Sequence, residues 1–254
     1  AFDGDAAGID AQSLAVKCGD SDLPPGPVSG GSITTASITS AVAMACDAIL
    51  AKFDANGPMS DENRRAAFAR IGMNAVDEYA EWSPPGAGEN AAKSLYEGGV
   101  RIVGGPTEER TMFAFGAEMV EVRINARTRE IRVPRMTGAF AAGRIMNPRT
   151  TRSQYLGGMI WGMASALLEA TELDEARGRY VNDNIAEYLV ATNADVPQVD
   201  IIMVPEVDEE INVLGVKGVG ELANVGTAAA VTDAVYHATG IRVRDLPVRV
   251  EKLI

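Results

Sequence analysis

Cysteine and histidine are nearly missing from this chain. Cys18 and Cys46 are its two thiols and His237 its one histidine, in 254 residues. Two thiols cannot supply the four ligands of an iron–sulfur cluster or a structural zinc site, and both are expected to be buried side chains. A single histidine excludes the usual multi-histidine zinc centres, and no Gly-x-Ser-x-Gly elbow accompanies it, so no Ser-His-Asp hydrolase signature is present. His237 is expected near the end of the last helix, where the C-terminal dipole tolerates it. Basic residues are outnumbered: 23 Lys and Arg face 35 Asp and Glu, for a net charge of −12. That balance argues against a general nucleic-acid surface. No apolar run reads as long enough to span a bilayer and no signal peptide is read, so no membrane partner is expected. The first residue is Ala, so the chain is expected to be processed or a piece of something longer. With 46% hydrophobic and 23% charged residues, it is expected to bury a core as one large domain or two small ones.

Glycine is what the chain has instead. Gly215-Val216-Lys217-Gly218-Val219-Gly220-Glu221 runs into an Ala/Val-rich segment read as one helix, Leu222 to His237. Small residues allow close backbone approach, and a helix start offers N–H groups and partial positive charge to an anion. Glu221 there reads either as a base beside a bulky anionic cofactor or as part of a capped surface helix. Gly218-x-Gly220-x-x-Ala223 matches the dinucleotide fingerprint. A nicotinamide-binding unit needs further strands, and only one strand's worth of chain follows, so that reading is set aside.

Taken in order, Ser13 to Cys18 reads as a short strand, and Gly19 to Ser32 as a Gly/Pro-rich loop. The loop delivers a helix, Thr34 to Phe53, whose start carries Ser32, Thr34, Thr35, Ser37, Thr39 and Ser40. These hydroxyls suit a phosphate or polar heterocycle, or simply form an over-rich N-cap; no Walker Gly-Lys-Ser/Thr follows. A second helix is read over Ser60 to Trp82, with Ser60 as N-cap. Residues 83–110 read as a linker. Phe113–Ile124 and Glu130–Phe140 alternate and read as a hairpin, with Glu118, Glu121 and Arg123 on its exposed face. Thr150 to Ala170 reads as a helix. Gly157, Gly158 and Gly162 within it point to close packing against backbone or a ligand, or simply to tight helix packing, since interior glycines cost about 1 kcal/mol each. Leu173–Tyr180 reads as a surface turn, Ile185–Val190 and Val199–Val204 as strands, Pro205–Asn212 as an acidic connection, and Arg242–Ile254 as a strand or extended tail.

Four ordered motifs carry a resemblance. They are Gly19–Pro24 with Gly30–Ser37, Gly138–Pro148, Ser153–Gly162, and Gly215–Glu221 followed by Ala228–Pro247. Together they resemble the C-terminus of the large subunit of molybdenum hydroxylases, the xanthine dehydrogenase/aldehyde oxidase family. In detail they look most like bacterial periplasmic-type aldehyde oxidoreductases. The resemblance implies that Glu221 is the catalytic glutamate. It implies that Lys217, Gly218, Val219 and Gly220 wrap the molybdopterin end, and that Gln154 hydrogen-bonds the cofactor. Gly31, Ser32, Thr34, Thr35, Ala36, Ser37, Ile38, Thr39 and Ser40 are implied to hold the pterin and its phosphate. No metal-ligating side chain is assigned.

The implied cofactor is molybdenum–molybdopterin in its cytosine dinucleotide form, with iron–sulfur clusters and FAD on partner chains. The implied reaction oxidises aldehydes to carboxylic acids with water-derived oxygen, with Glu221 as base. A purine or other N-heterocycle substrate, and a non-catalytic assembly module, are the alternatives. Family large subunits are much longer on the N-terminal side, so the chain is expected to act only with that N-terminal part and with iron–sulfur and FAD subunits. The resemblance leaves the compartment open between cytoplasm and bacterial periplasm. The expected fold is α+β: mixed sheets with packed helices, in two similar cofactor-binding sub-regions. Residues 1–110 hold the Ser/Thr-rich helix start and residues 111–254 the turn with Glu221.

Overall fold

A computed structural model of the chain describes residues 8–84, 86, 87, 90–99 and 112–254. The expected boundary at 110/111 lies outside the described residues, as does much of the 83–110 tract. The fold is α+β, and it divides into two compact units. One runs to Phe113 and adds Val207–Gly218; the other is Ala114–Glu206 with Val219–Ile254.

The first unit is helical. Its long helix α1 spans Thr34–Lys52. Helix α2 spans Asp61–Ile71, and Ser60 caps it by accepting a hydrogen bond from Asn63 N, with Asp61 and Glu62 suited to the helix dipole. The periodicity that suggested a helix as far as Trp82 is overridden at Gly72. That residue takes a left-handed conformation (φ 67°), and the Met73 N–H donates back to Phe68 O, closing the helix end. Phe53 and Phe68 meet edge-on at 4.9 Å and join the two helices. A third helix, α3, spans Ala91–Tyr96. The strand expected over Ser13–Cys18 is absent. Ala11–Ser13 forms a 3-10 turn, and Val16 is 81% exposed with no neighbouring strand among the described residues. Cys18 is exposed and Cys46 half-buried, so neither is the buried thiol expected.

Helix α1 also corrects the reading that no segment reaches bilayer length. By length and composition alone it is long and apolar enough to cross a membrane. The sequence hid this behind hydroxyls. Ser37, Thr39 and Ser40 each donate to the carbonyl four residues back, so their polarity is satisfied within the helix.

The second unit is built on a sheet. Strands β1 (Phe115–Ile124) and β2 (Ile131–Ala141) form the expected antiparallel hairpin. Asn125 nucleates its turn by accepting from the N–H groups of Arg127 and Thr128. Helix α4 (Pro148–Leu167) is capped by Asn147, and Leu173–Asp174 (β3) and Arg179–Tyr180 (β4) form a small hairpin where a plain turn was expected. Strand β5 (Gln198–Met203) then pairs parallel to β2, giving the order β1-β2-β5; a parallel pair requires a long crossover, which holds α4. No strand forms over Ile185–Val190. Asn184 accepts from Ala186 N through its side chain and from Tyr188 N through its carbonyl, so the chain turns instead.

The core of this unit lies between sheet and α4. Met136, Phe140, Tyr155, Met159 and Met163 are all at most 2% exposed, joined by Ala223. Phe140 and Tyr155 stack at 4.5 Å. The segment read as one helix is two: α5 (Leu222–Val225) and α6 (Thr227–Thr239), interrupted at Gly226. The C-terminal residues do not trail away. Val243, Val248 and Leu253 pack with Val235 as a second cluster, and Val248 N donates to Ala166 O at 2.7 Å.

Candidate functional site

In the first unit the structure brings two of the predicted stretches together. Gly31 and Ser32 both have positive φ, 60° and 59°, and turn the chain into α1. The Gly218 backbone lies against them. A β-carbon on Gly218 would stand 3.1 Å from Ser32 Cβ and 3.4 Å from Ser32 O, tighter than side chains normally pack.

Helix α1 starts without a side-chain cap, its N-cap being Ile33 rather than a hydroxyl residue. The first intrahelical bond is from Ser37 N to Ile33 O, so helix geometry leaves the N–H groups of Thr34, Thr35 and Ala36 without an intrahelical acceptor. Such a start suits an anion. The predicted hydroxyls are less uniform. Ser37, Thr39 and Ser40 point their protons into the helix's own carbonyls, and Ser40 is fully buried. Thr34 Oγ1 donates to Ser29 Oγ at 3.3 Å. Thr35 and Ile38 are exposed and Ala36 half-buried.

Lys217 has a second character that the sequence did not show. Its side chain is 5% exposed and its ammonium lies 2.9 Å from the Asp208 carboxylate. Lys217 holds Asp208 below the usual carboxylate range, helped by the N–H groups of Glu210 and Ile211 and opposed by burial. Asn212 fixes the intervening loop: its amide donates to Val216 O at 2.6 Å, and its Oδ1 accepts from Val216 N and Leu214 N. Asp208 and Asn212 had read only as members of an acidic connection.

In the second unit Glu221 is exposed and occupies the N-cap position of α5, with no side-chain capping bond. It therefore opens a one-turn helix rather than the long one expected. Val219 and Gly220 are half-buried and form the turn before it, Leu222 N donating to Val219 O. Gln154 is exposed on α4 beside fully buried Tyr155. The Tyr155 hydroxyl is a buried polar atom without a hydrogen-bond partner among the described residues; burial, with the Glu206 carboxylate, pushes it up to about 12.

The glycines of α4 do pack closely, as expected for two of the three. A β-carbon on Gly158 would stand 3.0 Å from Ala223 Cβ, and one on Gly162 would stand 2.6 Å from Thr227 Cβ. Gly157 faces open space.

Sequence reasoning missed Glu118. It had been placed on the hairpin's exposed face. In fact it is half-buried, Oε1 accepts from Gly226 N at 3.3 Å, and Oε2 meets Thr227 Oγ1. Burial raises its carboxyl above the ordinary value of 4.5, against the lowering effect of these two bonds. Strand parity carried the signal: Glu118 shares a face with Val120, Val122 and Ile124, all half-buried. Among the described residues no group of three or more His, Cys, Asp or Glu is arranged to hold a metal ion.

Comparison with known proteins gives a consistent picture. The family model of a molybdopterin cofactor-binding domain matches residues 4–197. The aldehyde oxidoreductase molybdenum-binding subunit PaoC of Escherichia coli (strain K12) is 35% identical over 247 residues, 97% of this chain and 33% of that protein. A probable xanthine dehydrogenase subunit of Bacillus subtilis (strain 168) is 30% identical over 153 residues, 60% of this chain and 20% of that protein. Among solved structures, reconstituted CO dehydrogenase from Oligotropha carboxidovorans matches with a TM-score of 0.72 at 21% identity, covering 99% of this chain and 32% of that one. The aldehyde oxidoreductase from Desulfovibrio gigas matches with a TM-score of 0.64 at 22% identity, covering 89% and 23%. These structural likenesses speak for the fold. The chain spans about a third of the length of the curated relatives that match along nearly all of it.

Proposed function

Because the chain belongs to the molybdopterin cofactor-binding domain family, as the C-terminal part of a molybdenum hydroxylase large subunit, we propose that it binds a molybdenum–molybdopterin cofactor and serves in oxidising aldehydes to carboxylic acids. The observation that carries this reading is the uncapped start of α1, with three N–H groups that have no intrahelical acceptor and the Gly218 backbone set against Ser32. Those donors fit the phosphate of a pterin cofactor. Thr34, Thr35 and Ala36 would hold it through backbone N–H groups, and Gln154 would bind it through its amide. Gly31, Ser32, Gly218, Val219 and Gly220 would let the backbone approach it closely. Buried Ser40 serves only to support the helix, and the Lys217 charge is balanced by Asp208.

When bound, the cofactor supplies the redox chemistry, accepting two electrons as aldehyde and water become carboxylic acid and two protons. Glu221 is the base that takes up a proton from the attacking water-derived oxygen. Its carboxylate is exposed and anchored through its own backbone, since Asn224 N donates to Glu221 O at 3.1 Å. General-base help of this kind contributes about a hundredfold to ten-thousandfold. The family resemblance implies that the electrons leave to iron–sulfur clusters and FAD on partner chains, and the two cysteines of this chain are too few for such a cluster. The cytosine dinucleotide form of the cofactor belongs to the same reading, as does the need for the N-terminal part of the large subunit.

In the assembled enzyme, Glu221→Gln should abolish turnover while molybdenum content by mass spectrometry stays near normal. Substantial residual activity would overturn the role of Glu221, and a complex devoid of molybdenum would favour a non-catalytic assembly module. The similarity to a xanthine dehydrogenase subunit motivates the second reading, an N-heterocycle substrate. Steady-state rates with aromatic aldehydes against hypoxanthine separate the two.

A further inference from the structure

The junction between α5 and α6 is held from two sides within the second unit. On one side lies α4: Gly158 and Gly162 receive Ala223 and Thr227, both fully buried. On the other lies β1, from which Glu118 reaches Gly226 N and Thr227 Oγ1. Gly226 is needed for that reach, because a β-carbon there would stand 2.9 Å from Glu118 Oε1. A carboxyl group from a strand thus caps the start of α6 where no local side chain does so. Two residues before Ala223 stands Glu221, and the Asn224 N–H ties it into the same turn.

We propose that Glu118 is a positioning residue for Glu221: by clamping the α5–α6 junction it sets where the one-turn helix begins, and so where the Glu221 carboxylate is presented. This rests on the reading of Glu221 as the base. The hydrogen bonds also say which replacement preserves the clamp. Thr227 Oγ1 has one proton and two close acceptors, Glu118 Oε2 and Ala223 O, the latter at 2.9 Å. Both contacts are satisfied together only if the group on residue 118 donates to Thr227 while Thr227 donates to Ala223 O. A glutamine does this and still accepts from Gly226 N. An alanine leaves the Gly226 N–H and the Thr227 hydroxyl without the partner on β1.

The test uses the assembled molybdenum enzyme. Glu118→Ala should lower kcat about tenfold to a hundredfold, as small misplacements of a catalytic group do, with KM and molybdenum content near the parent values. Amide hydrogen exchange over residues 219–227 should accelerate roughly tenfold, the loss of one buried hydrogen bond. Glu118→Gln should recover most of both losses. Thr227→Val removes a single hydroxyl and should reproduce part of the kcat loss, which covers the case in which the alanine variant does not fold. Unchanged kcat and unchanged exchange in Glu118→Ala would overturn the proposal. So would activity that falls only in proportion to lost molybdenum, the mark of a purely structural role. Glu221→Gln, measured alongside, separates the two levels: if it stays active, the base assignment has failed, whereas an inactive Glu221→Gln beside a fully active Glu118→Ala defeats the positioning role alone.

Discussion

Gly162 of α4 lies so near Thr227 of α6 that a β-carbon on it would stand 2.6 Å from Thr227 Cβ. Five residues earlier, a β-carbon on Gly157 would meet nothing within 4 Å. The two glycines therefore answer differently to one substitution. Gly162→Ala should cost about 1–3 kcal/mol through overpacking, while Gly157→Ala should gain up to about 1 kcal/mol from helix propensity. Denaturant unfolding of the two variants decides the matter, and equal effects would contradict the packing described.

Lys217 and Asp208 form an ion pair in the first unit, with the lysine almost wholly inside. Asp208→Asn leaves that ammonium without its carboxylate and should destabilise by about 3 kcal/mol. The Asp208 carboxyl is held low in the folded chain, so it binds fewer protons folded than unfolded. Its contribution is therefore complete above the unfolded value of 3.8 and fades as pH falls through the folded one. Thermal melts at pH 7 and at pH values below 3.8 should show the gap between wild type and Asp208→Asn narrowing on acidification.

Glu118 should behave in the opposite sense. Its carboxyl is raised on folding, so the folded chain binds the extra proton. The stabilisation is complete below the unfolded value of 4.5 and is lost as pH rises through the folded one. Glu118→Gln, which cannot ionise, should match wild type in acid and become the more stable of the two as pH rises, measured as the difference in Tm across the titration.

Tyr155 gives a test of the core. Its ring stacks on Phe140 while its hydroxyl is buried and has no partner among the described residues. Tyr155→Phe keeps the stack and removes the unsatisfied group, so stability should rise by about 1 kcal/mol. A clear loss in Tm would show that the hydroxyl has a partner in solution.

How far the sequence spoke for itself depended on range. The hairpin of β1 and β2 was legible because strict alternation fixes both strand and face. Helices α1 and α4 were legible because their apolar stretches are long, and α4 also because its cap, Asn147, is local. The same alternation placed Glu118 with Val120 and Val122, but a charge on a strand reads as solvent-facing until its partner is known. That partner, the start of α6, lies 108 residues on. The break at Gly226 was hidden for the same reason: Ala223, Ala228, Ala229 and Ala230 around it favour helix, and the carboxyl group that caps the new start comes from β1. Gly72 shows the reverse error. The stop signal was local and plain, yet the apolar spacing of Ala75, Val76 and Tyr79 suggested continuation, although Tyr79 is 55% exposed. At the candidate site, the Ser/Thr-rich helix start and the Gly-rich turn stood out through their unusual composition. The pairing of Lys217 with Asp208 did not, because nothing in a short separation across an irregular loop fixes which charges meet.

The first unit recruits Val207–Gly218 from beyond most of the second unit's sequence. Its own N-terminal stretch is therefore incomplete as a piece of chain. A gene cut anywhere between residues 113 and 207 would leave α1 without the strap that lays Gly218 on Ser32 and buries Lys217. It would also divide the run from Lys217 to Glu221 from the helix start at Thr34. Grafting this helix start onto another scaffold would thus require two stretches of chain in place of one, and shuffling between relatives is best joined outside both.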